Sequence, residues 1–422
     1  MILYKGKILS DSRQEEIIAS LKTELYKPLE KGEILPLNKV INACDRLSRV
    51  VLDDGYDDIL LPYLEKFNIG KERFAEMAQL FSEKSLRYKC SVELCDDEMT
   101  IDGRIIRKRM PLGVLLHIAA GNVDALPAYS VIEGLLAGNI NILKLPAGDS
   151  GLSVLLLGEL IKIEPALSDF IYVFDVPSTE TQTLKSLADL CDAVVVWGGD
   201  AAVRAARSMA SVETKIIEWG HKLSFAYADI SAEDKELEEL AENICSTNQL
   251  LCSSCQGIFV DTDSRQEQIH FAERFFDILR RVNNRMGQAD FGMRAKNAIS
   301  IYNERLEQHA TNNVIMSADG ISVICTDDSE LTLSYLYRSV WVKRLLHGKI
   351  VQTLKLYKNH LQTAAVLCPD SEKRAEICKS LANAGVVRIT SGGNMSSTVV
   401  GEAHDGRYPL REYSRIVESE FE

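Results

Sequence analysis

Ser246-Thr-Asn-Gln-Leu-Leu-Cys252-Ser-Ser-Cys255-Gln-Gly-Ile-Phe-Val260 joins a stretch that reads as a helix, Asp234–Ile244, to one that reads as a strand, Gly257–Val260. Cys252 falls at the turn between them, and the small residues Ser253 and Ser254 follow it directly. Small neighbours leave a thiol room and bring backbone N–H groups into the same space. A thiolate there can attack a carbonyl, and the N–H groups can hold the oxyanion that forms. A buried cysteine at a helix–strand junction is the commoner role for this residue type.

On the N-terminal side, strand and helix alternate from Pro111 onward. Gly113–Ile118, Asn141–Lys144, Phe170–Phe174, Ala193–Trp197 and Lys215–Glu218 read as strands. Leu126–Ala137, Gly151–Ile163, Thr179–Leu190 and Ala201–Ala210 read as the helices between them. This rhythm predicts a parallel sheet covered by helices on both faces, with ligands bound in loops at the carboxyl ends of the strands. On the C-terminal side, Ile321–Cys325, Val351–Leu354, Ala364–Leu367 and Val386–Thr390 are strand candidates. They accompany helices Gln266–Asn284 and Glu372–Ala384, so a second αβ domain is expected. Residues 1–85 carry helical spacing at Arg13–Leu25, Leu37–Leu52 and Tyr56–Phe67. Lys89–Leu94 reads as a short strand, and Met99–Lys108 as a hairpin turning at Asp102-Gly103. Residues 285–320 are polar and mixed and receive no assignment. The tail reads as polar, ending in a helix, Leu410–Glu420.

A chain of 422 residues exceeds one compact core. Its formal charge of −13 argues against a nucleic-acid partner, and no Lys/Arg block offsets it. The start, Met1-Ile-Leu-Tyr-Lys-Gly-Lys7, lacks the form of a signal peptide, and apolar stretches such as Val154–Gly158 are too short to span a bilayer. The ten scattered cysteines then read as reduced thiols, which points to a cytoplasmic protein.

Four strand-end loops of the first half carry polar or glycine-rich residues. Ala119-Ala-Gly-Asn122 is a small-residue turn whose asparagine can donate to an oxyanion or satisfy the turn itself. Lys144 ends an apolar strand, where a lysine meets a phosphate, a ribose hydroxyl or solvent. Gly198 and Gly199 precede a helix, so their N–H groups can approach a phosphate, although a plain tight turn is more common. The G-x-G-x-x-G dinucleotide fingerprint is absent. Glu218 ends a hydrophobic strand as a buried base or a salt-bridge partner, with Gly220 and His221 after it.

The order of these residues decides between the readings. Gly113-Val-Leu-Leu-His-Ile-Ala-Ala-Gly-Asn122, Asn141-Ile-Leu-Lys144-Leu-Pro-Ala147, Val195-Val-Trp-Gly-Gly-Asp200, Glu218-Trp-Gly-His-Lys222 and Cys252 resemble, in that order, functional segments of the aldehyde dehydrogenase superfamily. Asn248-Gln-Leu-Leu-Cys252-Ser-Ser-Cys-Gln256 is more narrowly similar to the N-Q-x-x-C-S-S-x-Q signature of the LuxC-like fatty acyl-CoA reductases. The tail His404-Asp-Gly-Arg-Tyr-Pro-Leu-Arg411 also looks like theirs. The resemblance covers roughly residues 100–420. It departs at Cys255, where many members carry proline, and at Leu145, an extra residue in the lysine segment.

The resemblance implies an α/β, aldehyde dehydrogenase-like fold of two doubly wound parallel-sheet domains, with a helical N-terminal segment and an oligomerisation extension. Residues 1–220 would hold the N-terminal segment and the nucleotide-binding domain, 221–394 the catalytic domain, and 395–422 the C-terminal extension. It implies NADPH-dependent reduction of an acyl thioester, on CoA or on a protein, to an aldehyde through an acyl-cysteine. Cys252 would be the nucleophile, Asn122 the oxyanion donor and Glu218 the general acid/base. Ala119, Lys144, Gly198, Gly199 and Gly220 would line the cofactor. No acid follows within three positions of Lys144, which permits NADPH while leaving NADH possible. A C-x-x-C pair also suggests zinc, but no second ligand pair lies nearby, so no metal is expected. A thioester substrate, an acyl-protein synthetase partner and a homodimer or homotetramer complete the expectation. An aldehyde-oxidising dehydrogenase and a non-catalytic subunit of the same fold are the alternatives.

Overall fold

A computed structural model describes residues 1–53, 55, 75, 78–94, 98–101, 103–119, 125–147, 149 and 151–420. The predicted helix Tyr56–Phe67 and the candidate Asn122 lie outside them. The chain divides into two compact units, residues 1–220 with 399–422, and residues 221–398.

The first unit contains strands β1 (Ile2–Tyr4), β2 (Lys7–Leu9), β3 (Glu98–Ile101), β4 (Ile105–Pro111), β5 (Val114–Ile118), β6 (Ile140–Lys144), β7 (Ile171–Phe174), β8 (Ala193–Trp197) and β9 (Lys215–Trp219). Its main sheet has the order β2-β1-β7-β6-β5-β8-β9. From β7 to β9 all neighbours are parallel, while the β1–β2 hairpin adds an antiparallel edge. Parallel strands covered on both faces need continuous apolar runs, and Ala193-Val-Val-Val-Trp197 is buried throughout.

Strand β5 buries a histidine. His117 is fully enclosed, with Nδ1 2.7 Å from Ser130 Oγ and Nε2 3.0 Å from Asn141 Oδ1, and Trp197 Nε1 donates to the same Ser130 oxygen at 2.9 Å. Burial depresses its pKa to about 4. A depressed folded-state value means that the unfolded chain takes up the proton first as pH falls. The stability of this neutral site is complete above about pH 6.5 and is lost as pH falls towards 4. Thermal melts from pH 7 to 4.5 should therefore show a steeper acid loss for the native chain than for His117→Gln, by on the order of 3 kcal/mol across the window. Parallel curves would contradict this.

The second unit contains β10 (Leu223–Ala228), β11 (Cys255–Val260), β12 (Val314–Ala318), β13 (Ile321–Cys325), β14 (Ser339–Arg344), β15 (Leu361–Leu367) and β16 (Arg388–Thr390), in the order β12-β13-β14-β11-β10-β15-β16. All pairs are parallel except β12 with β13. Helices Asp234–Thr247 and Arg265–Met286 pack Leu240, Ile244, Phe271, Phe275 and Leu279 against it. Gly257 faces Trp341 across β11 and β14, and a Cβ there would lie 1.9 Å from the indole, so only glycine fits. The final strand β17 (Ser414–Ser419) belongs to the first unit and pairs with β4 in a separate sheet, β17-β4-β3.

The predicted hairpin at Met99–Lys108 is present as β3 and β4. Four local expectations differ. Lys89–Leu94 is not a strand; Lys89 to Glu93 close the helix Glu83–Glu93, which Ser82 caps and an i,i+4 Lys89–Glu93 ion pair supports. Val351–Leu354 is helical within Ile350–Leu354, because Ile350 and Leu354 bury one helical face. The predicted helix Leu410–Glu420 is one short helix, Pro409–Glu412, followed by β17. Pairing of Arg415–Ser419 with β4 outweighs local helix preference. The N-terminus opens with the hairpin β1–β2, turned by Lys5 and Gly6 at positive φ. The unassigned residues after 285 form the helix Phe291–Thr311 and β12. No helix among the described residues is long and apolar enough to cross a membrane.

Candidate active site

The stretch around Cys252 is built from two consecutive turns. Helix Asp234–Thr247 ends in Asn248 and Gln249, both at positive φ (47° and 63°), and Leu250 N donates to Thr247 O at 3.1 Å. Two left-handed central residues make a primed turn, which asparagine tolerates better than most side chains. The second turn closes through Ser254 N to Leu251 O at 3.0 Å and Leu251 N to Ser254 Oγ at 3.2 Å. Cys252 occupies its second position and is exposed.

The polar residues of the motif hold these turns in place. Gln249 is buried and bridges two strands: Nε2 donates to Cys255 O at 2.8 Å and to Ser339 O at 2.9 Å, and Oε1 accepts Ser339 N at 2.9 Å. Gln256 Oε1 accepts Ser334 N and Oγ at 3.2 and 2.8 Å. Asn248 Oδ1 accepts Arg338 Nε at 2.9 Å. Buried amides that satisfy both donor and acceptor sides rigidify what they join. The motif's asparagine and glutamines thus act as scaffold for the cysteine.

Two further side chains reach Cys252 itself. Gln362, near the start of β15, donates Nε2 to Cys252 Sγ at 3.3 Å. Ser224, near the start of β10, donates Oγ to Cys252 O at 2.7 Å and accepts Thr363 N at 3.1 Å. Cys255 points elsewhere. Its thiol is fully buried in the core, donates to Gly257 O at 3.2 Å, and burial pushes it up to about 12. It is protonated at neutral pH and packs as a small apolar side chain. Neither cysteine is in a disulfide.

The remaining candidates lie in the first unit. Ala119 is buried just beyond β5. Lys144, the last residue of β6, is 4% exposed, and its ammonium donates to Ser178 Oγ at 3.0 Å. Burial lowers its pKa. Gly198 (φ 155°) follows β8, and a Cβ there would crowd Ala202 Cβ at 3.0 Å. Gly199 caps helix Asp200–Met209, and a Cβ on it would meet nothing within 4 Å. A helix N-terminus beside open space, reached over glycine, fits an anionic diphosphate. Gly220 has no neighbour closer than 4.0 Å to a Cβ, so space alone does not demand glycine there.

Glu218, in β9, is ion-paired. Arg207 Nε and Nη2 engage its two carboxylate oxygens, the latter at 2.8 Å. Its backbone oxygen accepts Arg407 Nη2 from the tail. The Arg407 guanidinium lies 4.5 Å above the Trp219 ring, and His404 packs edge-on against Trp197 and Trp219 at 5.0 Å. The tail motif His404–Arg411 is thus a clamp on the ends of β8 and β9, through cation–π and edge-on ring contacts.

A family model described as acyl-CoA reductase (LuxC) matches residues 34–416. The chain belongs to the acyl-CoA reductase (LuxC) family. It is 27% identical over 331 residues to a long-chain acyl-protein thioester reductase of Vibrio harveyi, covering 77% of this chain and 68% of that one. Among solved structures it resembles an NADP-dependent glyceraldehyde-3-phosphate dehydrogenase of Bacillus halodurans in complex with NADP, at TM-score 0.73 and 14% identity over 99% of this chain and 98% of that one. It also resembles a betaine aldehyde dehydrogenase of Staphylococcus aureus, at TM-score 0.70 and 14% identity over 96% and 88%. The fold is that of the aldehyde dehydrogenases.

Sequence reasoning on this LuxC-family chain missed Ser224, Gln362 and Arg338. Ser224 and Gln362 sit in stretches without turn or motif signals, and Gln362 is 110 positions from Cys252. The one signal for Arg338 was an arginine directly before an apolar run, Ser339–Arg344, that the sequence reading left unassigned and that forms β14.

Proposed function

We propose that this LuxC-family chain reduces a long-chain acyl thioester, carried on CoA or on a protein, to the aldehyde with NADPH through an acyl-Cys252 intermediate. The exposed Cys252 thiol, presented on a braced turn with an amide N–H on its sulfur, carries the reading. Cys252 attacks the thioester carbonyl as thiolate, and the Cys252 N–H with Asn122 stabilises the oxyanion. The carrier thiol departs and leaves acyl-Cys252. Lys144 holds the nucleotide ribose, and the Gly198-Gly199 turn before helix Asp200–Met209 receives its pyrophosphate, with Ala119 and Gly220 along the same loops. NADPH, when bound, supplies the hydride that reduces the acyl group. Glu218 serves as general acid/base in the collapse of the thiohemiacetal to aldehyde.

Both carboxylate oxygens of Glu218 face Arg207, so proton transfer at this residue, to the thiohemiacetal or to water, requires the carboxylate to leave that bidentate pair. The first unit also holds an apolar cavity lined by Cys44, Leu47, Val51, Phe81, Ala128 and Ile132, with one wall formed by the first turns of helix Leu126–Leu136. The β17-β4-β3 sheet, with Ile416 55% exposed on its edge strand, is where a second copy would pair to form the expected homo-oligomer.

The test is a two-by-two assay of aldehyde formation, with long-chain acyl-CoA and an acylated protein thioester as donors and NADPH and NADH as reductants. Aldehyde from at least one donor, faster with NADPH, is expected. Oxidation of aldehyde with NAD and no reduction of either thioester would contradict the proposal.

A further inference from the structure

We propose that Gln362 is a catalytic residue, whose side-chain amide holds the Cys252 sulfur in its thiolate form and aims it. This rests on the reading of Cys252 as nucleophile. Gln362 Nε2 lies 3.3 Å from Sγ, and the residue is 8% exposed, so its donor is directed at the sulfur from a largely dry position. A primary amide is suited to the task. It donates but does not ionise near neutral pH, so it favours the charged sulfur without taking its proton.

The sheet is distorted where this contact forms. Along β10 and β11, Ser224 pairs with Cys255 and Ala226 with Ile258; along β10 and β15, Leu223 pairs with Leu361 and Phe225 with Ala364. In each pair β10 advances two residues while its neighbour advances three. Both β11 and β15 therefore carry one extra residue beside Ser224. A bulge re-aims side chains out of strict alternation and is common beside active sites. Two bulges on either side of one strand, both at the level of the nucleophile, place Gln362 and Ser224 on Cys252. Ser224 fixes the Cys252 carbonyl at 2.7 Å and lies 3.5 Å from Gln362 Oε1, so the same hydroxyl braces the turn and flanks the amide.

The ionisable groups nearest in sequence on this edge of the sheet are Lys222, His221 and His360. Lys222 Nζ donates to Asn359 O at 2.6 Å, and His360 Nδ1 meets His221 O at 3.0 Å. The groups shown touching Cys252 itself, Gln362 and Ser224, are neutral. The amide is thus a neutral donor to the sulfur.

The experiment follows iodoacetamide alkylation of Cys252 against pH in the full-length chain without substrate, resolved by peptide mass, for wild type, Gln362→Leu and Gln362→Glu. Melting temperature is recorded for each. The pH midpoint of alkylation is expected to rise by roughly one unit in Gln362→Leu and further in Gln362→Glu, where a carboxylate replaces the donor. Loss of packing alone would not order the two variants in this way. Unchanged midpoints, or equal shifts in both variants, would overturn the role of Gln362. Thioester turnover by the wild type, measured alongside, separates the two claims. Turnover with unchanged midpoints sinks the role of Gln362 alone, whereas a wild type inert to thioesters sinks the functional reading beneath it.

Discussion

Cys252→Ser is expected to lower thioester reduction by at least roughly three orders of magnitude and to change stability by less than about 0.5 kcal/mol. The two halves have separate causes. The side chain is exposed on a turn, and the turn's closing bonds run through Leu251 and Ser254, so a hydroxyl in place of the thiol disturbs no packing. A serine hydroxyl needs a general base to become a nucleophile, whereas a thiol ionises close to neutral pH. The Gln362 amide that donates to the sulfur cannot take a proton. Steady-state rates with long-chain acyl-CoA and a thermal melt check both parts. A serine protein that melts normally and keeps a tenth of the rate would remove Cys252 from the chemistry.

Arg338→Met is expected to destabilise the second unit by on the order of 3 kcal/mol, a fall in Tm of roughly 6–12 °C for a unit of this size. Arg338 is 5% exposed, and all the partners found for it are neutral acceptors. Nε donates to Asn248 Oδ1 at 2.9 Å, Nη1 to Gly287 O at 2.8 Å and to Asn283 Oδ1, and Nη2 to Cys245 O at 3.0 Å. The Cys245 carbonyl belongs to the last turn of helix Asp234–Thr247, where the helix dipole favours a cation. Methionine fills much of the same volume but leaves these acceptors unpaired by the guanidinium, those of Asn283 and Cys245 at buried positions. Arg338→Lys should rescue little, because one ammonium cannot reproduce a planar fork of donors. The arginine also pins the Asn248 turn that leads to Cys252, so alkylation of Cys252 should slow in both variants below their melting temperatures. A Met variant of native Tm would contradict the account of Arg338.

The alternation of apolar strands with helices was legible from Pro111 to Glu218 because parallel strands, buried on both faces, leave long Val/Ile/Leu runs, whereas β10 and β14 of the second unit received no assignment. The strand-end loops around Lys144, Gly198-Gly199 and Cys252 were legible because turns with close backbone approach select small residues and glycine. Packing set what was missed. Leu336, Tyr337 and Arg338 all adopt positive φ (60°, 50° and 67°) without a glycine or asparagine among them, so no local signal marks the turn that delivers Arg338. Gln362 reaches Cys252 through two bulges, and a bulge is a property of pairing between strands distant in sequence. The tail misread as helix carries Arg-Ile-Val-Glu, which suits either state in isolation and becomes a strand because β4 offers an edge. The second thiol of the C-x-x-C pair read in the sequence as a departure from the family pattern and as half of a zinc-like pair. Its place at the start of a fully buried strand commits it to the core.

The most direct measurement is the intact mass of the protein after incubation with a long-chain acyl-CoA in the absence of reductant, followed by peptide mapping. The account predicts a mass increase of one acyl group located on Cys252 and not on Cys255. Addition of NADPH should discharge that acyl group as aldehyde. An unmodified protein that nevertheless turns over thioester and NADPH, or an acyl group found on another residue, would contradict covalent catalysis through Cys252.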